Sequence, residues 1–297
     1  MWDAIVVGGG PSGLSAALVL GRCRRRVLVC DSREYRNAAS HALHAFLSRD
    51  GVPPGELLGA ARAEVERYGV VVRRVRVADA RRDAAGFEAV LDGGAREMSR
   101  MLVLATGVVD PLPPVPGIDA LYGTSVFHCP YCDGWEQRDR PLAAYGRGEA
   151  GRKIALSLRQ WSDDVILFSN GPAGLRADDR ARLARAQVRI EERGIARLDG
   201  AAGELRAVVL TDGESVARRA LFFKTRYAQR SELAAKLGCV FDRKGVVKTN
   251  RLQGTGVEGL YVIGDAARDV QLAIVAAAEG AKAGFAVNEA LHDRETA

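Results

Sequence analysis

The sequence has few cysteines and no long apolar run. Five Cys stand among 297 residues, which excludes the disulfide-dense scaffolds of small secreted proteins. No apolar stretch approaches the ~20 residues that span a bilayer, and the start MWDAIVVGGG lacks the basic segment and apolar run of a secretory signal. The sequence therefore predicts no membrane partner and a cytoplasmic location.

The sequence also lacks a block of charge of one sign. It has 43 Lys and Arg against 37 Asp and Glu, a formal net charge of +6, and the arginines are spread through segments rich in Ala and Gly. Such charge runs usually form solvated faces, so no nucleic-acid partner is expected. With 47% hydrophobic residues over this length, the chain can bury ordinary cores in about two domains.

Histidine is scarce as well, and this bears on the one close cysteine pair, Cys129 and Cys132 in HCPYCDGWE. Zinc would need two further ligands, and the four histidines do not supply that spacing; they are residues 41, 44, 128 and 292. No metal site is predicted. A structural staple would close a loop too short to constrain the unfolded chain. A redox dithiol is therefore the favoured interpretation.

Two titratable residues flank this pair. Asp133 follows the second cysteine and could move a proton, or it could simply form a turn before Gly134. His128 precedes the first cysteine and could stabilise a thiolate or deprotonate a substrate thiol, or it could serve only in packing and hydrogen bonding. We take Cys129, Cys132, His128 and Asp133 as the candidate catalytic residues.

The amino end has the pattern of a dinucleotide site. Residues 4–7 form an apolar run, GGGPSG follows, and LSAALVLGRC continues at helical spacing, which predicts strand, glycine turn and helix. Gly8, Gly10 and Gly13 satisfy G-x-G-x-x-G, so a pyrophosphate can approach the backbone at the helix start. A second strand over 27–30 ends at Asp31, where an acid can bond ribose hydroxyls.

The carboxyl end completes this fold. Residues 259–263 predict a buried strand that ends at Gly264 and Asp265, followed by a long helix rich in small residues. Residues 102–107 predict another strand and turn, and the proline-rich DPLPPVPGID after it is typical of a connection between domains. The middle of the chain is therefore an insertion, with one discontinuous domain over 1–113 and 243–297 and an inserted domain over 114–242.

The insertion repeats the order of strand, glycine turn and helix. Residues 142–145 predict the strand, GRGEAG at 146–151 the turn, and 165–168 a second strand. We therefore predict an α/β, three-layer chain of two nested Rossmann-like domains. The second strand leads into Ser169-Asn170-Gly171, with neither an acid for ribose hydroxyls nor arginines for a 2′-phosphate. This departure speaks against NAD(P)H as a cofactor.

The combination of GGGPSGLSAA, ATG, LPPVPG, CPYCDG, a second G-x-G-x-x-G and GLYVIGDAARDVQLAIVAAAEGAKA resembles the low-molecular-weight thioredoxin reductase family over essentially the whole chain. The resemblance implies an FAD-dependent enzyme, a homodimer, Cys132 as the flavin-facing sulfur and Cys129 as the sulfur that exchanges with substrate. It implies a set of FAD-binding residues: Gly8, Gly10, Pro11, Ser12, Gly13, Asp31, Asn37, Asp50, Ala105, Thr106, Gly107, Gly264, Asp265, Gln271, Leu272 and Ala273.

The chain also departs from that family. FSNGPAG stands where classical members carry the arginines for NADPH, and Pro130 and Tyr131 replace small residues between the cysteines. With SHALHAFLSRDG expected near the flavin edge, these features are more similar to the dithiol oxidases of gliotoxin and holomycin type, which use oxygen to close disulfides in small sulfur-containing natural products. The alternatives are an NAD(P)H-dependent reductase, with a thioredoxin-like protein as its partner, and a non-catalytic flavin-binding redox sensor.

Overall fold

The computed structural model describes residues 1–224, 226–268 and 270–297. The strands are β1 (Trp2–Val7), β2 (Val27–Cys30), β3 (Val71–Arg73), β4 (Val77–Arg82), β5 (Phe87–Leu91), β6 (Arg96–Leu104), β7 (Val108–Val109), β8 (Val126–Phe127), β9 (Leu142–Tyr145), β10 (Val165–Phe168), β11 (Arg189–Glu191), β12 (Ile195–Ala201), β13 (Glu204–Leu210), β14 (Ser215–Ala217), β15 (Ala220–Phe223), β16 (Ala228–Gln229) and β17 (Leu260–Val262). The helices are α1 (Pro11–Arg22), α2 (Pro54–Glu66), α3 (Pro130–Asp133), α4 (Gly148–Leu158), α5 (Ala177–Arg185), α6 (Leu233–Lys236) and α7 (Ala273–Thr296), with a 3₁₀ turn at Gly264–Ala266.

The first compact unit comprises Met1–Ala38, Phe46–Val109 and Tyr227–Ala297. Its sheet runs β3-β2-β1-β6. Strand β5 pairs with the first half of β6 and β4 pairs with β5, while β17 pairs with the last residues of β6. Strands β3, β2, β1, β6 and β17 are parallel. The interior strands read as continuous apolar runs because both faces of this sheet are covered.

Helices α1 and α7 pack closely on one face of that sheet. A Cβ at Gly280 would overlap the Ser12 carbonyl oxygen, and one at Gly284 would crowd Ala16 and Val19. The small residues of α7 therefore let it lie directly against the first turns of α1, which fixes the start of α1 where the predicted nucleotide turn lies.

The second unit comprises Ala39–Ala45 and Asp110–Arg226. Its parallel sheet has the order β11-β10-β9-β15-β8. Helices α4 and α5 cover one face, and the antiparallel strands β12-β13-β14 cover the other. The short helix α3 with the cysteine pair begins directly after β8, so the edge of this sheet positions the dithiol.

The predicted α/β class with two nested Rossmann-like units is confirmed. The limits of the compact units differ from the predicted domain limits at 113 and 243. Residues 227–242 lie with the first unit because β16 pairs with β7 and α6 packs on β4. Residues 39–45 lie with the second. Among the described residues, no helix is long and apolar enough to cross a membrane.

Candidate active site

The first glycine turn, in the first unit, has the geometry of a phosphate cradle. Gly8 has φ +114°, and a Cβ there would overlap the Ala105 carbonyl oxygen. A Cβ at Gly13 would overlap the Gly8 carbonyl oxygen, so the turn itself requires both glycines. A Cβ at Gly10 would meet nothing within 4 Å. The space above Gly10, at the amino end of α1, therefore fits a pyrophosphate, with Pro11 and Ser12 in the first turn of the helix.

Asp31 lies at the carboxyl end of β2, where the sequence predicts the ribose acid, and it is buried. Its carboxylate accepts hydrogen bonds from the Arg33 backbone N–H at 2.9 Å and the Tyr35 hydroxyl at 2.5 Å. Arg62 donates to the same hydroxyl at 3.0 Å. Burial, and then the bond to Asp31, raise the pKa of Tyr35 to about 12. The acid is thus held in one orientation by its own loop.

Asp265 lies in the 3₁₀ turn after β17 and pairs with Arg36 at 2.8 Å. Glu279 of α7 accepts a hydrogen bond from the Gly264 N–H at 3.2 Å and pairs with Arg268. Burial raises the pKa of Glu279. The turn that presents Asp265 is therefore fastened to α7.

The other predicted FAD-binding residues all lie in the first unit. Asn37 and Asp50 are exposed, Ala105 is buried, and Thr106 and Gly107 are half-buried just beyond β6. Gln271 donates to the Arg268 carbonyl at 3.3 Å, Leu272 caps α7, and Ala273 begins it. The structure therefore clusters most of these residues at the ends of parallel strands and the starts of α1 and α7, while their roles stay predictions.

In the second unit, Cys129 and Cys132 form a disulfide at the start of α3. Cys129 is the N-cap and Pro130 occupies the first helical position, where its missing N–H costs nothing. The Cys129 carbonyl accepts hydrogen bonds from the N–H groups of Cys132 at 3.2 Å and Asp133 at 3.3 Å. One short helical turn therefore sets the positions of both sulfurs and the following acid.

His128 is oriented by two residues that the sequence analysis missed. Its Nδ1 shares a 2.9 Å hydrogen bond with the Tyr122 hydroxyl, and the two rings stack. Its Nε2 lies 4.0 Å from Asp110, whose side chain is buried. Tyr122 and Asp110 therefore contact both ring nitrogens and hold the imidazole next to Cys129.

Asp133 has a raised pKa on the other side of the pair. Burial lifts this pKa from 3.8 to about 7; the nearby charge of Glu136 acts in the same direction, and His44 opposes both. A carboxyl group that titrates near neutrality is well matched to accepting a proton from a thiol. The structure thus places two potential bases within one residue of the disulfide.

The second glycine turn is intact but its ribose end is covered. A Cβ at Gly151 would overlap the Gly146 carbonyl oxygen, as in the first turn. The Arg147 side chain folds across the end of β10, where its Nε donates to the Ser169 carbonyl at 2.7 Å and a terminal nitrogen donates to the Asn170 carbonyl. The end of β10 therefore offers no acid for the ribose hydroxyls of NAD, and the arginine that lies there is bonded to backbone carbonyls.

The model of the family described as pyridine nucleotide-disulphide oxidoreductase matches residues 2–280. The chain belongs to this family. Thioredoxin reductase tcpT of Claviceps purpurea is 34% identical over 275 residues, which cover 89% of this chain and 86% of that protein. A probable thioredoxin reductase of Arthroderma benhamiae is 33% identical over 301 residues, covering 90% and 74% respectively. The crystal structure of HlmI superposes with a TM-score of 0.95 at 40% identity, covering 99% and 94%.

These similarities confirm the predicted resemblance to thioredoxin reductases and the assignment of the protein as an oxidoreductase. Members of the pyridine nucleotide-disulphide oxidoreductase family with these relatives bind FAD and usually NADPH. The cradle at Gly10 fits the pyrophosphate of the first of these cofactors.

Sequence reasoning missed several residues that shape the site. Glu136 carried a visible signal, since it follows Asp133 by three residues, a spacing at which side chains can meet. Asp110 and Tyr122 carried none, because long-range packing brings them to His128. Residues 40–45 of the stretch expected near the flavin edge belong to the second unit, where His44 lies 3.5 Å from Glu136.

Proposed function

We propose that this protein is an FAD-dependent dithiol oxidase, which closes a disulfide in a small sulfur-containing molecule and uses oxygen as the final electron acceptor. The observation that carries the proposal is the Cys129–Cys132 disulfide at the start of α3, which lies in the chain between two candidate bases, His128 and Asp133. Ser169-Asn170-Gly171 after β10 offers no acid for ribose hydroxyls, and Arg147 is bonded to the carbonyls there, so we take substrate dithiol as the electron donor. The resemblance to oxidases of gliotoxin and holomycin type supports the same direction.

The first step is removal of a thiol proton. A free thiol has a pKa of ~8.5, so only a few per cent is ionised at pH 7, and a positioned base is worth about 10²-fold. Asp133 or His128 accepts the proton. The substrate thiolate attacks Sγ of Cys129, the bond between Cys129 and Cys132 breaks, and Cys132 leaves as a thiolate.

The second step closes the product. The remaining substrate thiol loses its proton and attacks the substrate sulfur bonded to Cys129. The product disulfide forms, Cys129 leaves as a thiolate, and the electron pair remains on the enzyme dithiol. FAD bound at the Gly10 cradle would supply the two-electron acceptor for that dithiol and return the electrons to oxygen as hydrogen peroxide.

Oxygen uptake tests the proposal. We expect a small dithiol such as dithiothreitol to drive oxygen consumption and peroxide release at the same rate with and without NAD(P)H. Cys132→Ser and Cys129→Ser should each abolish turnover, and Cys23→Ser is the matched control because Cys23 is a free, exposed cysteine. Wild-type turnover in both active-site variants would rule out the dithiol mechanism, and turnover that needs NAD(P)H would rule out the oxidase.

A second candidate is an NAD(P)H-dependent disulfide reductase that acts on a thioredoxin-like protein. One observation favours it: the second glycine turn keeps its full pattern and opens α4, with Gly146 and Gly151 in close contact. We also propose that the protein is a cytoplasmic homodimer, whichever of the two activities it has. Sedimentation of the purified protein measures the oligomeric state.

A further inference from the structure

Glu136 has one engaged and one unsatisfied carboxylate oxygen. Its Oε1 lies 3.5 Å from Nε2 of His44. Its Oε2 is buried and has no hydrogen-bond partner among the described residues. A buried carboxylate oxygen without a donor carries a desolvation cost, and a hydrogen bond donated to that oxygen lowers the cost.

Asp133, His44 and Glu136 form one electrostatic cluster beside Cys132. Asp133 directly follows that sulfur, and the charges of Glu136 and His44 both act on its carboxyl group. His44 belongs to the Ala39–Ala45 segment. This segment lies in the second unit, although the residues before and after it in the chain lie in the first. The paired side chains of His44 and Glu136 therefore act electrostatically on the carboxyl group that follows Cys132.

The other charged groups packed near this cluster are engaged elsewhere. Helix α4 packs against α3, but its Arg152 pairs with Asp179 and its Lys153 pairs with Glu149. Arg138 lies over the ring of Trp135. His128, on the far side of the cysteine pair, bonds to Tyr122. Glu136 and His44 are thus the groups that act on Asp133.

We propose that His44 and Glu136 are positioning residues that form a proton reservoir for Asp133, with Glu136 Oε2 sharing the proton that Asp133 takes from a thiol and His44 balancing its charge. The two residues act on thiol chemistry only through the Asp133 carboxyl group. When Asp133 gains a proton its repulsion with Glu136 ends, and the proton then leaves by way of Glu136 and the partly exposed His44. This inference rests on the proposed role of Asp133 as the base.

The test is the rate at which dithiothreitol reduces the Cys129–Cys132 disulfide of the flavoprotein under nitrogen, followed by thiol alkylation and mass spectrometry between pH 5 and 9. Taking the ratio of variant to wild type at each pH cancels the ionisation of dithiothreitol itself. This readout depends on neither oxygen nor NAD(P)H, so it holds for an oxidase and a reductase alike.

The two variants should move the profile in opposite directions. Glu136→Gln removes a negative charge, so the acid limb shifts to lower pH and reduction at pH 6 becomes about 3- to 5-fold faster than in the wild type. His44→Gln removes the positive charge that the ring carries when protonated, so the limb shifts to higher pH and reduction at pH 6 becomes about 3- to 5-fold slower. If one variant fails to fold, the direction in which the other variant shifts the pH profile still tests the proposal.

The decisive comparison uses the Asp133→Asn background. There, adding Glu136→Gln or His44→Gln should change nothing further. Glu204→Gln and His292→Gln are matched controls on exposed residues and should keep the wild-type profile. Shifts in the same direction, no shift, or full effects in the Asp133→Asn background would overturn the inference while leaving Asp133 as base. A wild-type profile in Asp133→Asn alone would instead overturn the base assignment itself.

Discussion

At the scale of single residues, burial separates inert thiols from the reactive pair. Burial raises the pKa of the Cys30 thiol to about 12 and also raises the pKa of Cys239. These two sulfurs stay protonated at neutral pH and cannot act as nucleophiles. Burial has a different consequence at Asp133. It raises the carboxyl pKa toward neutrality, and a carboxylate with such a pKa can accept a thiol proton.

That raised pKa predicts a stability change in Asp133→Asn. The folded-state pKa of about 7 exceeds the ordinary 3.8, so the buried carboxylate destabilises the fold as pH rises from about 4, and the cost is complete above about 7. Asp133 is half-buried, and a pKa difference of one between the folded and unfolded states corresponds to at most ~1.4 kcal/mol for a group that retains some contact with solvent. Asp133→Asn should therefore raise the free energy of unfolding, and the increase should be roughly 2–3 kcal/mol larger at pH 8 than at pH 5.

Urea unfolding at the two pH values measures this difference. Asp119→Asn is the control, because Asp119 is exposed and should show no such pH dependence. An equal effect of Asp133→Asn at pH 5 and pH 8 would mean that Asp133 ionises normally in the folded protein.

At the scale of elements, two glycine turns of the same design serve different ends. In each, the last glycine packs against the carbonyl of the first, which fixes the helix start on the strand. Beyond the first turn, β2 ends at a carboxylate held by Arg33 and Tyr35. Beyond the second, β10 ends at carbonyls bonded to Arg147. The two folds therefore differ in the residues after their second strands and not in their glycines.

Gly10→Ala tests where FAD binds. Gly10 has φ −78°, which alanine adopts without strain, and its Cβ would enter open space. The fold should therefore persist, whereas the added methyl should obstruct the pyrophosphate and lower FAD affinity by at least ~10-fold. Flavin absorbance per chain after purification, with FAD titration of any cofactor-free protein, measures the loss.

Gly59→Ala in α2 is the matched control, since its Cβ also meets nothing within 4 Å and lies outside the turn. We expect this variant to keep the wild-type content of about one FAD per chain. Full retention of FAD in Gly10→Ala would place the cofactor away from this cradle.

At the scale of the whole molecule, local patterns predicted the nested architecture because each strand, glycine turn and helix is written in contiguous residues. Long-range contacts could not be predicted in the same way. The pairing of β16 with β7 and the place of residues 39–45 in the second unit depend on segments far apart in the chain. The covering of β10 by Arg147 is a side-chain conformation that no periodicity encodes.

The candidate site shows the same difference between residues predictable from local patterns and residues brought in by tertiary packing. Cys129, Cys132 and their two neighbours were predictable, because the chemistry is concentrated in one short stretch. Their supporting residues, such as Tyr122 beside His128 and His44 beside Glu136, were not, because tertiary packing brings them there.

Anaerobic flavin reduction tests the central claim, that substrate dithiol rather than nicotinamide reduces this enzyme. The flavoprotein is mixed under nitrogen with dithiothreitol, NADPH or NADH, and the loss of flavin absorbance is followed by stopped flow. The proposed function predicts rapid bleaching by the dithiol, lost in Cys132→Ser, and no bleaching by either nucleotide at micromolar concentration. Rapid bleaching by NADPH, with none by the dithiol, would contradict the proposal and identify the protein as a reductase.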